Sequence, residues 1–252
     1  MSNEHLQHRV HFLGVPMDTL TMEETIETID RRLSADKFTQ HVVVNVAKIV
    51  QMQTNPELRD AVAACDIINI DGAGVVFGGR ILGLKILERV AGIDLFFQLL
   101  TYAEENRRSV YLLGATDDVI KNAIARIQSD FPQLNIAGFH DGYFWDYEDE
   151  MVREIRKSDA DLLFVGIGSP LKEQFIDRWK QALGVGFAMG VGGTFDIVAG
   201  VAKRAPRWMQ RSGLEWLYRI IQEPRRMWWR YVSTNSRFAV MLISEKIRRL
   251  RT

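Results

Sequence analysis

Six apolar runs, each running into Gly, Asn or Asp and set between amphipathic stretches, constrain this chain more than any other feature. They are VVVN (42–45), DIINIDG (66–72), VYLLGAT (110–116), NIAGFHDG (135–142), LLFVGIGSP (162–170) and VGFAMGVGG (185–193). Short apolar runs bounded by turn formers read as strands buried on both faces. The intervening segments carry helix signals. Thr21-Met-Glu-Glu24 is a capping box that opens a helix through Leu33, and Asn55-Pro56-Glu57 is a second helix start. Residues 117–130 and 148–158 also have helical spacing. The alternation predicts an α/β fold, a parallel sheet with helices on both faces. In such folds ligands sit beyond the carboxyl ends of the strands, where all six runs turn small or polar.

After Gly200 the alternation stops. Residues 201–252 read as a separate appendage of two or three short helices punctuated by Pro206, Gly213 and Pro224, against a main domain of residues 1–200. The chain as a whole balances 32 basic against 32 acidic residues, yet residues 203–252 hold 13 Lys and Arg and only three acids. That segment is therefore +10 and the rest −10. Four of the six tryptophans, Trp208, Trp216, Trp228 and Trp229, also lie there. Two readings fit an Arg- and Trp-rich helical tail: an anionic partner such as a membrane surface, or a cap that packs its aromatics on the core. The acidic main domain opposes a nucleic-acid partner. One cysteine, Cys65, excludes an internal disulfide and a multi-cysteine metal site, and a reducing cytoplasm is the expected compartment. No run of eighteen apolar residues and no signal-peptide pattern occurs.

Several residues have the chemistry of a site. Asp71 ends the strand CDIINI and precedes Gly72-Ala-Gly74, so its carboxylate emerges at the sheet edge either as a general base or as the cap of the next helix. The same segment fails as a dinucleotide fingerprint, because Phe77 stands where the third glycine belongs. Gly190-Val-Gly192-Gly193-Thr-Phe-Asp196 and Gly114-Ala-Thr116 let backbone amides approach a diphosphate, with Asp196 placed to accept from hydroxyl or amine groups. Arg89 precedes a helix start, where it can grip a phosphate or carboxylate. Lys172 and Glu173 follow Gly168-Ser-Pro170; surface pairing is the alternative for both them and Arg89. The five histidines lack metal-ligand spacing, DYEDE (146–150) reads as an exposed helix start, and no nucleophile elbow or Walker loop is present.

Taken in order, VVVN (42–45), IDGAGVV (70–76), ERVAGIDL (88–95), VYLLGAT (110–116), DGYF (141–144), VGIGSPLKE (165–173), GVGGTFDIVAG (190–200) and RAPRW…GLEWLYRIIQEPRR (204–226) resemble the WecG/TagA/CpsF family of bacterial glycosyltransferases. The resemblance spans about residues 10–231 and implies a Rossmann-like domain. It implies inverting, metal-independent transfer of a sugar from a UDP-sugar, a co-substrate rather than a cofactor, to a polyprenyl-diphosphate-linked saccharide in cell-envelope or exopolysaccharide synthesis. Asp71 then corresponds to the general base. Asn45 and Arg89 match positions near donor sugar and acceptor, and Tyr143 and Asp196 match positions near the uridine. Arg219 and Arg226 match tail arginines that close over the diphosphate once the appendage docks on the inner face of the cell membrane. The distal Lys246, Arg248, Arg249 and Arg251 are then left for lipid headgroups.

Three positions depart from the family pattern: Val43 for Thr, Lys172 for a neutral amide, and Trp229, beside Arg230, for a tail Arg. They bear on sugar identity rather than reaction class. The alternative function is a non-enzymatic nucleotide- or lipid-binding module, and an apolar tail left undocked is expected to favour homo-oligomers.

Overall fold

The computed structural model describes residues 8–250, with the side chain of Arg226 outside the described set. Each apolar run becomes a strand. β1 (Arg9–Phe12) and β2 (Val15–Asp18) form a hairpin, followed by α1 (Met22–Leu33), β3 (Thr39–Val44), α2 (Val46–Met52), α3 (Pro56–Ala63), β4 (Ile67–Ile70), α4 (Ala73–Ile81), α5 (Gly92–Glu105) and β5 (Ser109–Gly114). The chain continues through α6 (Asp117–Asp130), β6 (Asn135–His140), α7 (Glu148–Lys157), β7 (Leu162–Gly166), α8 (Leu171–Trp179), β8 (Phe187–Gly190) and α9 (Thr194–Val198). The tail supplies α10 (Arg207–Arg211), α11 (Glu215–Gln222) and α12 (Pro224–Leu250).

The eight strands are ordered β1-β2-β4-β3-β8-β7-β5-β6, and every neighbouring pair except β1–β2 is parallel. The hairpin is an addition to the expected architecture. Its two-residue turn, Leu13-Gly14, has positive φ at both positions (52° and 79°), as a primed hairpin turn requires. One sheet face carries α1, α5, α6 and α9, whose Phe96, Leu99, Ile120 and Phe195 pack on Leu112, Phe164 and Met189. The opposite face carries α2, α3 and α4 over Val42 and Ile68, and α7 and α8 over Leu113 and Val165.

The local signals act as expected. Thr21 and Glu24 make a reciprocal capping box, and Asn55 caps α3 with Pro56 in its first turn. A buried polar chain pins α1 to the sheet: His41 Nε2 and Asn69 Oδ1 are 2.7 Å apart, and Asn69 Nδ2 donates to Thr25 Oγ1 at 3.0 Å. Burial holds the His41 imidazole near pKa 4, so it is neutral.

The tail differs from the expected two or three short helices, because α12 alone runs 27 residues. Phe238 and Leu242 join the core under α4, with Phe238 against Phe12 at 6.0 Å between ring centroids. The diametrically opposite side of α12 is apolar too, with Trp229, Val232, Val240, Ile243, Ile247 and Leu250 all exposed. The tail tryptophans do not cap the core: Trp208, Trp216, Trp228 and Trp229 are each more than 40 % exposed. Of the distal cations, Lys246 Nζ and Arg249 Nη1 donate to the Ile81 and Leu82 carbonyls at the end of α4, and Arg248 and Arg249 both pair with Glu245. These cations, left by the sequence for headgroups, thus also have partners within the chain; Arg251 lies outside the described residues. Among those residues no helix is long and apolar enough to cross a membrane.

Candidate active site

The parallel strands bring their carboxyl ends to one edge. In strand order the edge presents Asp71 after β4, Asn45 after β3, Gly190–Gly193 after β8, Gly168 after β7, Gly114 after β5 and Asp141–Tyr143 after β6. Five strand spacings separate Asp71 from Tyr143, roughly 24 Å. The candidate residues therefore form a strip with two ends.

One end is a bare backbone floor. Gly114 has φ +133°, and a Cβ there would lie 2.5 Å from the Gly166 carbonyl group, so only glycine fits. Gly142 donates to the Ala115 carbonyl at 2.9 Å, which ties the β5 and β6 loops together and sets Gly142, the neighbour of Tyr143, against Gly114. Tyr143 is 69 % exposed, leaving its ring open. In the middle of the strip the chain turns through Gly192 (φ +57°) and Gly193 into α9, where the Asp196 carboxylate lies over Gly193. Lys172 leans across Gly190, and its Nζ is 3.9 Å from the point a Cβ on Gly192 would occupy.

Lys172 and Glu173 are not a surface pair. Both are buried, and Glu173 Oε1 takes Lys48 Nζ at 2.8 Å and Lys172 Nζ at 3.2 Å. Lys48 Nζ also donates to the Val43 carbonyl at 2.8 Å, while the Lys48 amide caps onto Asn45 Oδ1 at 3.0 Å. Burial pushes the Glu173 carboxyl up, but the two ammonium groups outweigh it and hold it at about 2. Burial lowers the Lys172 pKa, against the pull of Glu173. Glu173 thus braces Asn45 and the glycine turn from beneath; its other oxygen, Oε2, has no hydrogen-bond partner among the described residues.

At the other end stands Asp71. It does not cap α4: the cap position is Gly72 (φ +99°), with no side-chain cap bond. Burial raises the Asp71 pKa; Arg89 opposes this, Glu215 reinforces it, and the Gly92 amide and Arg219 oppose it. A partly buried carboxylate with a raised pKa, on a glycine turn at the strand ends, suits general-base chemistry. Arg89 Nη1 lies 3.9 Å from Asp71 Oδ1 and 2.6 Å from Glu215 Oε2. Glu215 and Arg219 are one turn apart on α11, so the tail forms a wall of the site. Arg204 fastens it there through a bidentate pair with Asp94 at 2.6 and 2.8 Å, and Gly213 packs against Ala73. Arg230 lies on an exposed part of α12, and the Arg226 side chain lies outside the described residues.

Lys48, Arg204 and Glu215 were not among the residues the sequence singles out. Glu215 carries the one visible signal, as a rare acid four residues before Arg219 in a basic tail. Among the described residues no three His, Cys, Asp or Glu side chains cluster as a metal site requires.

The chain is similar in sequence to known proteins over most of its length. Residues 10–252 match the Glycosyl transferase WecG/TagA/CpsF family. Relatives named N-acetylglucosaminyldiphosphoundecaprenol N-acetyl-beta-D-mannosaminyltransferase occur in Bacillus subtilis strain 168, 33 % identical over 84 % of this chain and 85 % of the relative. One from Bacillus spizizenii W23 is 37 % identical over 76 % and 74 %, and one from Staphylococcus aureus MW2 is 33 % identical over 87 % of each. A match of this extent places the chain in the WecG/TagA/CpsF family of glycosyltransferases.

Proposed function

We propose that the chain transfers N-acetylmannosamine, with inversion and without a metal, from its UDP derivative to N-acetylglucosamine on a polyprenyl diphosphate. Asp71 takes the proton from the acceptor hydroxyl as that oxygen bonds to the anomeric carbon, and the bond from that carbon to the UDP oxygen breaks. The departing UDP carries the negative charge, which Arg219 and Lys172 offset where it develops. The uridine lies at the Gly114–Tyr143 end and the sugar toward Asn45 and Asp71.

The observation that carries this reading is Asp71 itself, held at the carboxyl end of β4 and walled in by the tail. The activity for which the relatives are named supplies the acceptor class and the sugar. An acid of raised pKa at that position favours an enzyme over a nucleotide- or lipid-binding module. Asp71→Asn is expected to lower UDP release from UDP-N-acetylmannosamine, with a short-chain prenyl-diphosphate N-acetylglucosamine acceptor, by about 10²–10⁴-fold while UDP still binds. Retained turnover overturns the assignment of the base.

We further propose peripheral attachment to the cytoplasmic face of the membrane through residues 203–252. The outward stripe of α12, flanked by Arg230, Arg237 and Arg248, and the exposed Trp208 and Trp228 support it. Co-sedimentation with anionic phospholipid vesicles, lost in Trp229→Glu with Ile243→Glu, tests it.

A further inference from the structure

Two carboxylates compete for the Arg89 guanidinium, and they come from opposite ends of the chain. Glu215 Oε2, in the first turn of α11, accepts from Arg89 Nη1 at 2.6 Å, whereas Asp71 Oδ1 stands 3.9 Å from the same nitrogen. The second Glu215 oxygen, Oε1, lies 3.5 Å from Nε of Arg204, and Arg204 is clamped on Asp94 of α5. The result is a row in which acid and base alternate: Asp71, Arg89, Glu215, Arg204, Asp94. The tail supplies the acid at its centre. Side-chain exposures of 21 % for Arg89, 24 % for Glu215 and 26 % for Asp71 place the active-site end of this row below open solvent, where charges are less screened.

A guanidinium next to a single carboxylate closes on it, since charge-assisted pairing is strongest at hydrogen-bond distance. Arg89 stops short of that distance from Asp71 because Glu215 holds it from the other side. Without Glu215 it would close on Asp71 and lock that group as a paired carboxylate, a poor proton acceptor.

We propose that Glu215 is a positioning residue: by engaging Arg89 it keeps the guanidinium off Asp71, so that the base is competent only when the appendage is docked. This rests on the assignment of Asp71 as the base. Among the described residues, the charged groups facing Asp71 are Arg89 from the segment before α5 and Glu215 and Arg219 from α11, together with the Gly92 amide. Of these only Glu215 strengthens the base. Removing its charge therefore moves the acid limb of the pH–rate profile to lower pH and slows the reaction above that limb.

The test uses full-length Glu215→Gln with UDP-N-acetylmannosamine and the short-chain acceptor. The acid limb of kcat should fall by about one pH unit. The plateau kcat should drop about tenfold, with little change in KM for the donor. Glu215→Asp, which keeps the charge, should hold the limb near its wild-type position. Trypsin cleavage after Arg204, which is part-buried and clamped on Asp94 when the appendage is docked, reports whether it stays docked. A limb that does not move overturns the proposal, docked or not. A rise in kcat/KM with a lower KM also overturns it, because Glu215 would then be a competitor of an anionic substrate at Arg89. Turnover that survives Asp71→Asn would instead remove the base assignment beneath it, so the two failures are distinguishable.

Discussion

Glu173→Gln removes the one acid from a buried group that holds two lysines. The carboxyl sits at about 2 in the folded chain against an ordinary 4.5. At 1.36 kcal/mol per pKa unit that depression corresponds to about 3 kcal/mol of stability at neutral pH. Removing one partner of a buried ion pair costs about 3–5 kcal/mol by independent reasoning, since the remaining charge stays desolvated. The side chain is 3 % exposed, so solvent screening does not reduce the effect. For a chain of this size the loss corresponds to a Tm drop of about 6–12 °C, read by thermal unfolding at pH 7. A depressed carboxyl contributes stability above its unfolded pKa and loses it as pH falls through the folded one. The gap between variant and wild type should therefore be constant from pH 8 to 5 and close only below 4.5. Lys172→Gln leaves the Lys48–Glu173 pair in place and should cost less. A Tm change under about 2 °C for Glu173→Gln, or a gap that closes between pH 8 and 5, would refute the account.

Gly213→Ala forces a side chain at φ +71° to within 2.5 Å of Ala73 Cβ. It should lift α11 from the site, cut transfer at least tenfold and open the part-buried Arg204 to trypsin. His41 is neutral when folded and protonates near pH 4, so unfolding should become easier as pH falls below about 6.5. The expected slope is about 1.4 kcal/mol per pH unit in urea titrations, and His41→Gln should flatten it. Burial pushes the Cys65 thiol up, and the residue is 2 % exposed; alkylation by iodoacetamide should follow only global unfolding.

The strands were legible because a central strand of a parallel sheet is apolar on both faces, and each run stops where the chain must turn. The β1–β2 hairpin was not, since Leu13-Gly14 lacks the Asn-Gly or Asp-Gly signal and each strand is only four residues long, RVHF and VPMD, with Pro16 inside the second. The length of α12 was hidden for a different reason. It buries Phe238 and Leu242 on one side and exposes Val240, Ile243 and Ile247 on the other, so no single polar face marks it as one helix.

The site divides along the same line. Sequence alone determined that Asp71, Asn45, Gly114, Gly192 and Gly193 meet at one sheet edge, because strand direction and turn chemistry are encoded within a few residues. It also determined that a basic, aromatic tail follows an acidic domain. Only the tertiary structure decided which charges face each other: Lys48 with Glu173, 125 residues on, and Arg89 with Glu215, 126 residues on. Electrostatic energy depends on distance through space and on burial, and spacing along the chain reports neither. Glu173, a candidate site residue with surface pairing as its alternative, proved a buried brace, and Glu215 went from an unremarked tail residue to the wall of the site.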